Sequence, residues 1–121
     1  MRRGEVYWAD LAPRSGSEQQ GRRPVIVVSN DVLNQIQNWN SIIVVPLSTS
    51  AIQRRRGPSV ILLSQGAAGL RKDCVALCHQ VTTLDRSKLA QRIGQLSLIE
   101  LKRVENGLRA ALDLLMDTSF H

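Results

Sequence analysis

The sequence predicts an α+β domain, a small curled antiparallel β-barrel with one helix docked on it at the C-terminus. Three observations point there. Apolar residues fall in short β-branched runs separated by clusters of Gly, Pro, Ser, Asn and Asp, the pattern of short strands joined by turns. One stretch only, at the end of the chain, switches to helical spacing. The 121 residues, 43% of them hydrophobic, suit a single domain over 1–121 with a real core. Strands followed by a terminal helix pack as a curled sheet with the helix laid against it.

The first strand is Glu5 to Leu11, rich in strand formers with weak alternation. Ala12 to Arg23 reads as a polar loop whose Gly16 and Gly21 allow backbone conformations closed to other residues. The second strand runs from Pro24 to Ser29. Its proline fixes φ and lacks an N–H, which suits a first strand position, and Val25 to Val28 is an unbroken β-branched run expected for a strand buried on both faces. Arg23 thus stands where a loop meets a rigid element, so its cation can be aimed. Asp31 is placed to cap a short helical turn through Val32, Leu33 and Ile36, and Trp39 to anchor the polar loop after it. Ser41 to Leu47 is the third strand, with Pro46 marking an edge or a bulge, and Ser48-Thr49-Ser50 leaves it with consecutive hydroxyls.

A charged loop, Ala51 to Pro58, carries Arg54, Arg55 and Arg56. The fourth strand is Ser59 to Leu63, the fifth a long one from Cys74 to Leu84, and the sixth Leu89 to Leu96. Ser97 and Glu100 then form a capping box. Behind it Leu101, Val104, Leu108, Ala111, Leu112 and Leu115 recur on one helix face, expected to pack on the sheet. Gly107 within that helix costs about 1 kcal/mol relative to Ala.

The chain carries a formal charge of +6, and 13 of its 16 basic residues are arginine. Arginine grips phosphate with a planar fork where lysine offers a point charge, so the composition favours a nucleic acid, an acidic protein, or both in turn. Aromatic residues, at 3%, are too few for a sheet that stacks several bases. Cys74 and Cys78, four apart on one strand, would hold their Cα atoms about 13 Å apart, too far for a disulfide. Without a second cysteine pair they complete no zinc site, and they read as buried reduced thiols. No apolar run of about 18 residues suggests a membrane span, and the start lacks the apolar segment of a signal peptide, so a cytoplasmic protein is expected.

Walker, dinucleotide-binding, metalloprotease and G-x-S-x-G motifs are absent, as is an Asp/Glu cluster of metal-binding form. Nucleotide hydrolysis and two-metal nuclease chemistry are disfavoured. Cleavage of RNA remains open, because the 2′-OH is an internal nucleophile. The protein need only position it, move protons and neutralise charge on the phosphorus. Arg23 offers charge, Ser48 or Thr49 a hydrogen bond, and Glu18 or His79 a route for protons.

At these residues the chain resembles the MazF/PemK (Kid) family of toxins from type II toxin–antitoxin systems. The likeness is carried by Arg3-Gly4-Glu5-Val6-Tyr7 through Asp10-Leu11, and by Gly16-Ser17-Glu18-Gln19 to Arg23-Pro24-Val25-Ile26-Val27. It continues in Val44-Val45-Pro46-Leu47-Ser48-Thr49 and in His79-Gln80-Val81 leading to Leu84-Asp85. It implies an SH3-like barrel, a homodimer, and a sequence-specific endoribonuclease that cleaves mRNA with no metal or other cofactor and is inhibited by a cognate antitoxin. Arg23 matches the family's active-site arginine. Ser48 falls where the family usually has a threonine, and Thr49 follows it. Glu18 and Gln19 match the loop before the arginine, whereas Ser17 stands where some members have a functional histidine and His79 where many have Asp or Glu.

The residues leave alternatives open. Arg23 either clamps phosphate or pairs with Glu18 or Asp10, and its permanent charge argues against a general base. Ser48 either serves a site or bonds its own turn. Strand alternation sets His79 beside Val75, Leu77 and Val81, so it is either a packed side chain or a proton carrier. Gln80 either reads a base edge or satisfies a loop, and Arg54, Arg55 and Arg56 read as a solvated run that attracts RNA or antitoxin. Two rival functions share the barrel: a toxin that binds a topoisomerase, as relatives acting on DNA gyrase do without the G-S-E-Q-x-G-x-R-P loop, and a passive nucleic-acid-binding module.

Overall fold

Val25, Ile26 and Val27 set the centre of the molecule, because each is wholly buried and successive side chains point to opposite faces. Ile26 joins Val6, Val45, Leu47, Ala76 and Val104 in one core cluster, while Val25 and Val27 join Ala9, Ile42 and Val44 in another across the sheet. The strand is buried on both faces, as its unbroken β-branched run predicts.

The computed structural model describes residues 1–11, 21–50 and 57–115. Among these, seven strands form one antiparallel sheet: β1 Glu5–Leu11, β2 Gly21–Val27, β3 Ser41–Ser48, β4 Val60–Leu63, β5 Cys74–Leu77, β6 Thr82–Asp85 and β7 Leu89–Gln95. The helices are α1, Asp31–Asn34, and α2, Leu98–Leu112. Strands follow the order β4-β5-β3-β2-β1-β7, with β6 also paired to β3. The sheet curls without closing by strand pairing. A 3-10 turn at Ala67–Gly69 lies against β7, where Gly94 admits the Ala68 carbonyl and Gly69 the Ile93 carbonyl, each where a Cβ would clash.

Several elements depart from the sequence expectations. β2 begins at Gly21, because β1 pairs with it as far as Leu11↔Gly21. Pro24 therefore lies inside the strand, one residue before β3 begins to pair at Val25↔Pro46. The long fifth strand is two strands broken by a 3-10 turn, Cys78–Gln80. Leu47 pairs with Ala76 and Val44 with Thr82, so three residues of the broken strand have no counterpart on β3. The break falls opposite Pro46, whose missing N–H suits an interrupted ladder. Pro46 thus marks a bulge in a central strand rather than an edge.

Asn30 caps α1, accepting from the Val32 amide at 2.8 Å. Asp31 instead accepts from the Arg3 amide at 2.7 Å, tying down the start of the chain. Cys78 sits on the turn rather than on a strand with Cys74. Both thiols are free and buried, as expected, and burial pushes Cys78 up to about 12, which leaves it an unreactive thiol.

Helix α2 starts at the expected capping box, with Ser97 Oγ accepting from the Glu100 amide and Glu100 accepting from the Ser97 amide. Leu101, Val104, Leu108 and Ala111 pack on the core. Leu112 and Leu115, expected on the same stripe, are exposed, since α2 ends at Leu112, where Asp113 turns left-handed. Gly107 is explained by contact: a Cβ there would meet Cys78 Sγ at 2.7 Å and Ile61 Cγ1 at 2.8 Å. The glycine lets the helix lie close to the turn and β4.

Candidate active site

Where β1 and β2 pair through Ala9↔Arg23 and Asp10↔Arg22, the apolar alternation of β2 gives way to cations. Arg22, Arg23 and Pro24, together with Trp8, form one wall of a cleft. The end of β3 supplies Leu47, Ser48 and Thr49. The turn held against Gly94 brings Arg71 and Lys72 to the opposite rim, and β7 adds Gln91 and Arg92. The cleft measures about 700 Å3, within the range of ligand sites. Five cationic side chains line it, with no carboxylate among the described lining residues. Such a concentration of one sign, on walls that include Leu47, Leu70 and Ile93, focuses the field on an anion.

Arg23 is half-buried, and among the described residues it makes no hydrogen bond or ion pair. Asp10, one candidate partner, does not hold it, and Glu18, the other, lies outside the described residues. A half-buried cation with no partner among the described residues, in an electropositive cleft, is unusual for a structural arginine. Ser48 is 3% exposed, and its Oγ accepts the Ser50 amide at 3.1 Å. The hydroxyl thus does bond its own turn, as an acceptor. Among the described residues its O–H has no acceptor, which leaves it able to donate into the cleft it lines. Thr49 is exposed beside it.

His79 and Gln80 do not line this cleft. The strand alternation that would pack His79 beside Val75, Leu77 and Val81 is interrupted. His79 lies on the 3-10 turn with its side chain exposed, so the packed histidine is not observed. Gln80 is half-buried on the same turn. Ser17, Glu18, Gln19, Arg54, Arg55 and Arg56 lie outside the described residues. Among the described residues, no group of His, Cys, Asp or Glu is arranged to hold a metal ion, and no helix is long and apolar enough to cross a membrane.

The sequence reading misses Trp8, Arg22, Arg71, Lys72, Gln91 and Arg92. Arg22 and Trp8 were reachable from the β1–β2 hairpin, which sets Trp8 opposite Pro24. The Arg22 guanidinium lies 5.3 Å from the Trp8 ring centroid, within cation–π range. Arg71 and Lys72 depend on a turn that no periodicity announces.

The model of the PemK-like, MazF-like toxin of type II toxin–antitoxin systems matches residues 2–112. The chain belongs to the PemK/MazF toxin family. Endoribonuclease MazF of Staphylococcus saprophyticus is 37% identical over 114 residues, which span 94% of this chain and 92% of that one. The crystal structure of MazF from Deinococcus radiodurans is similar with a TM-score of 0.74 at 26% identity, covering 93% of this chain and 96% of that one. A mycobacterial endoribonuclease in complex with its cognate antitoxin has a TM-score of 0.75 at 23% identity, over 95% and 97% of the two chains, and this last likeness bears on the fold alone. The PemK/MazF match covers the cleft-lining strands, and the curled sheet with its C-terminal helix is that of the MazF structures.

Proposed function

We propose that the chain is a toxin endoribonuclease that cleaves single-stranded mRNA in the cytoplasm at a short sequence motif, with no metal ion. The observation that carries this reading is Arg23, half-buried and without a partner among the described residues, lining one cleft with the buried Ser48, among cations and no described carboxylate. Its support from relatives is the 37%-identical endoribonuclease MazF.

The 2′-oxygen of one nucleotide forms a bond to its own 3′-phosphorus while the bond to the following 5′-oxygen breaks. One proton leaves the 2′-OH and one reaches the departing 5′-oxygen. The products are a 2′,3′-cyclic phosphate and a 5′-OH. Arg23 neutralises the added charge on the non-bridging oxygens with a bidentate contact. The Ser48 O–H donates to one of those oxygens, and Thr49 binds the adjoining backbone. Proton transfer falls to Glu18, five residues before Arg23 in the sequence. Ser17 and Gln19, with Gln80, contact the bases. Arg54, Arg55 and Arg56 add attraction for the RNA backbone.

The active form is a homodimer, and an acidic, disordered antitoxin covers the cationic cleft and displaces RNA. Incubating the pure protein with a long RNA in EDTA tests the activity. Discrete fragments ending in cyclic phosphate support it. Intact RNA that is nevertheless bound would replace it with a passive binding module, and inhibition of DNA gyrase without cleavage would replace it with a topoisomerase-directed toxin.

A further inference from the structure

Glu5 is a buried carboxylate at the start of β1, 8% exposed. Isolated burial of such a charge is costly, and three donors surround this one. Oε1 accepts the Arg2 amide at 2.6 Å and the Tyr7 hydroxyl at 3.1 Å. Oε2 accepts Arg92 Nε at 2.5 Å. Arg92 emerges from this contact with its side chain 48% exposed and lines the cleft that holds Arg23 and Ser48.

The backbone aims this pair. β1 and β7 pair as Val6↔Gly94 and then Tyr7↔Arg92, so Ile93 is an extra residue on β7. Such a bulge re-aims the side chain next to it. Arg92 thereby lies opposite Tyr7, whose hydroxyl donates to the other oxygen of the same Glu5 carboxylate. The Nε edge is committed to Glu5, and Nη2 reaches only Gln95 Oε1, at 3.5 Å. Nη1 has no partner among the described residues.

We infer that Arg92 is a second phosphate-binding group of the cleft and that Glu5 is the positioning residue that holds its guanidinium in place for an RNA phosphate next to the one held by Arg23. The Glu5 end of the pair is buried and the Arg92 end is half-exposed, so the acid fixes one edge of a guanidinium whose other edge meets solvent in the cleft. Five cations gathered in one cleft repel one another, and a flexible arginine among them would be driven outward unless one edge were bound. This inference rests on the endoribonuclease reading and extends it to the neighbouring phosphate.

Charge and position make opposite predictions for Glu5→Gln. That substitution removes a negative charge beside a cationic cleft, so on charge alone RNA should bind tighter and be cleaved at least as well. If Glu5 positions Arg92, cleavage instead falls, by roughly tenfold and up to about 10²-fold for a misplaced contact. Arg92→Met removes the contact itself. The salt dependence of its affinity for a short 2′-deoxy-substituted, uncleavable RNA should fall in slope by about 0.7, the value for one single-strand phosphate contact. Arg92→Lys keeps the charge without the fork and should restore the slope but not the full rate.

The experiment is single-turnover cleavage and salt-titrated binding of one RNA by the parent and these variants. Arg103→Ala, an exposed helix arginine away from the cleft, is the control with an unchanged slope. A thermal melt accompanies each variant, and if Glu5→Gln does not fold, the Arg92→Met slope alone decides. Parent protein that cleaves while Arg92→Met keeps its full salt slope, or a folded Glu5→Gln that cleaves as well as the parent, would overturn this inference and leave the endoribonuclease reading intact. Parent protein that neither binds nor cleaves RNA would overturn both.

Discussion

Arg23 and Ser48 line one cleft because β2 and β3 are neighbours in register, and among the described residues neither side chain's donors are taken. A guanidinium that clamps a transition-state phosphate should not be replaceable by an ammonium. Arg23→Lys is therefore expected to lose cleavage by about 10²-fold, the scale of one lost electrostatic donor. It should keep most of its affinity for uncleavable RNA, because four further cations line the cleft. Single-turnover rates set beside equilibrium binding check this, and parent-like cleavage would remove the clamp. His79 makes the contrasting case. It is exposed on a turn that does not contribute to the cleft, so His79→Gln should leave the pH profile of cleavage unaltered across pH about 5 to 9, around the reference histidine value of about 6.5. A flattened profile would return His79 to the chemistry. Glu5 carries the other informative charge. Burial opposes its ionisation, but hydrogen bonds from Arg92, the Arg2 amide and Tyr7, with the charge of Arg92, hold its carboxyl below the usual carboxylate range.

Two close approaches in the fold depend on glycine, and one of them places a rim of the cleft. The 3-10 turn that carries Arg71 and Lys72 to the rim touches β7 only because Gly94 has no Cβ in the path of the Ala68 carbonyl. Backbone cannot yield as a side chain can, so Gly94→Ala should destabilise the fold by about 1–3 kcal/mol or more and weaken RNA binding by displacing the rim. Gly107→Ala meets only side chains, Cys78 and Ile61, and recovers about 1 kcal/mol of helix propensity. Its net cost should be smaller, and RNA binding should be unaffected. Urea unfolding of the two variants, with RNA titration, tests the ordering. An equal or larger cost for Gly107→Ala would contradict it.

At the scale of the whole molecule, apolar surface is left uncovered. Leu98 and Ile99 at the start of α2 are 80% and 75% exposed, and Val32, Ile36 and Trp39 stand out around α1. The strands at the ends of the sheet order, β4 and β7, leave edges of the kind that proteins cover or pair. A homodimer covers such surface, and sedimentation at micromolar concentration should show two chains per particle. A monomer under those conditions would count against the dimer and require another cover for these residues.

Sequence by itself determined most of the elements and singled out Arg23 and Ser48, which the fold brings to one cleft. Strand formers marked β1 and β-branched runs β3 and β4, the capping box marked the start of α2, and the cations leading into a buried β-branched run marked Arg23, although the strand itself begins earlier, at Gly21. These are local signals, set by period, by caps and by turn residues within a few positions. The tertiary structure alone decided the break after Leu77, because nothing local distinguishes a strand residue from one looped out opposite Pro46. It decided that His79 lies outside the cleft lining for the same reason. It also decided the rest of the cleft: Arg71 and Lys72 arrive through the contact of a turn with Gly94, and Arg92 is aimed by a bulge and held by Glu5, 87 residues earlier in the chain. Register, bulges and close backbone approaches arise between segments distant in sequence, so they are fixed only when the sheet curls and packs.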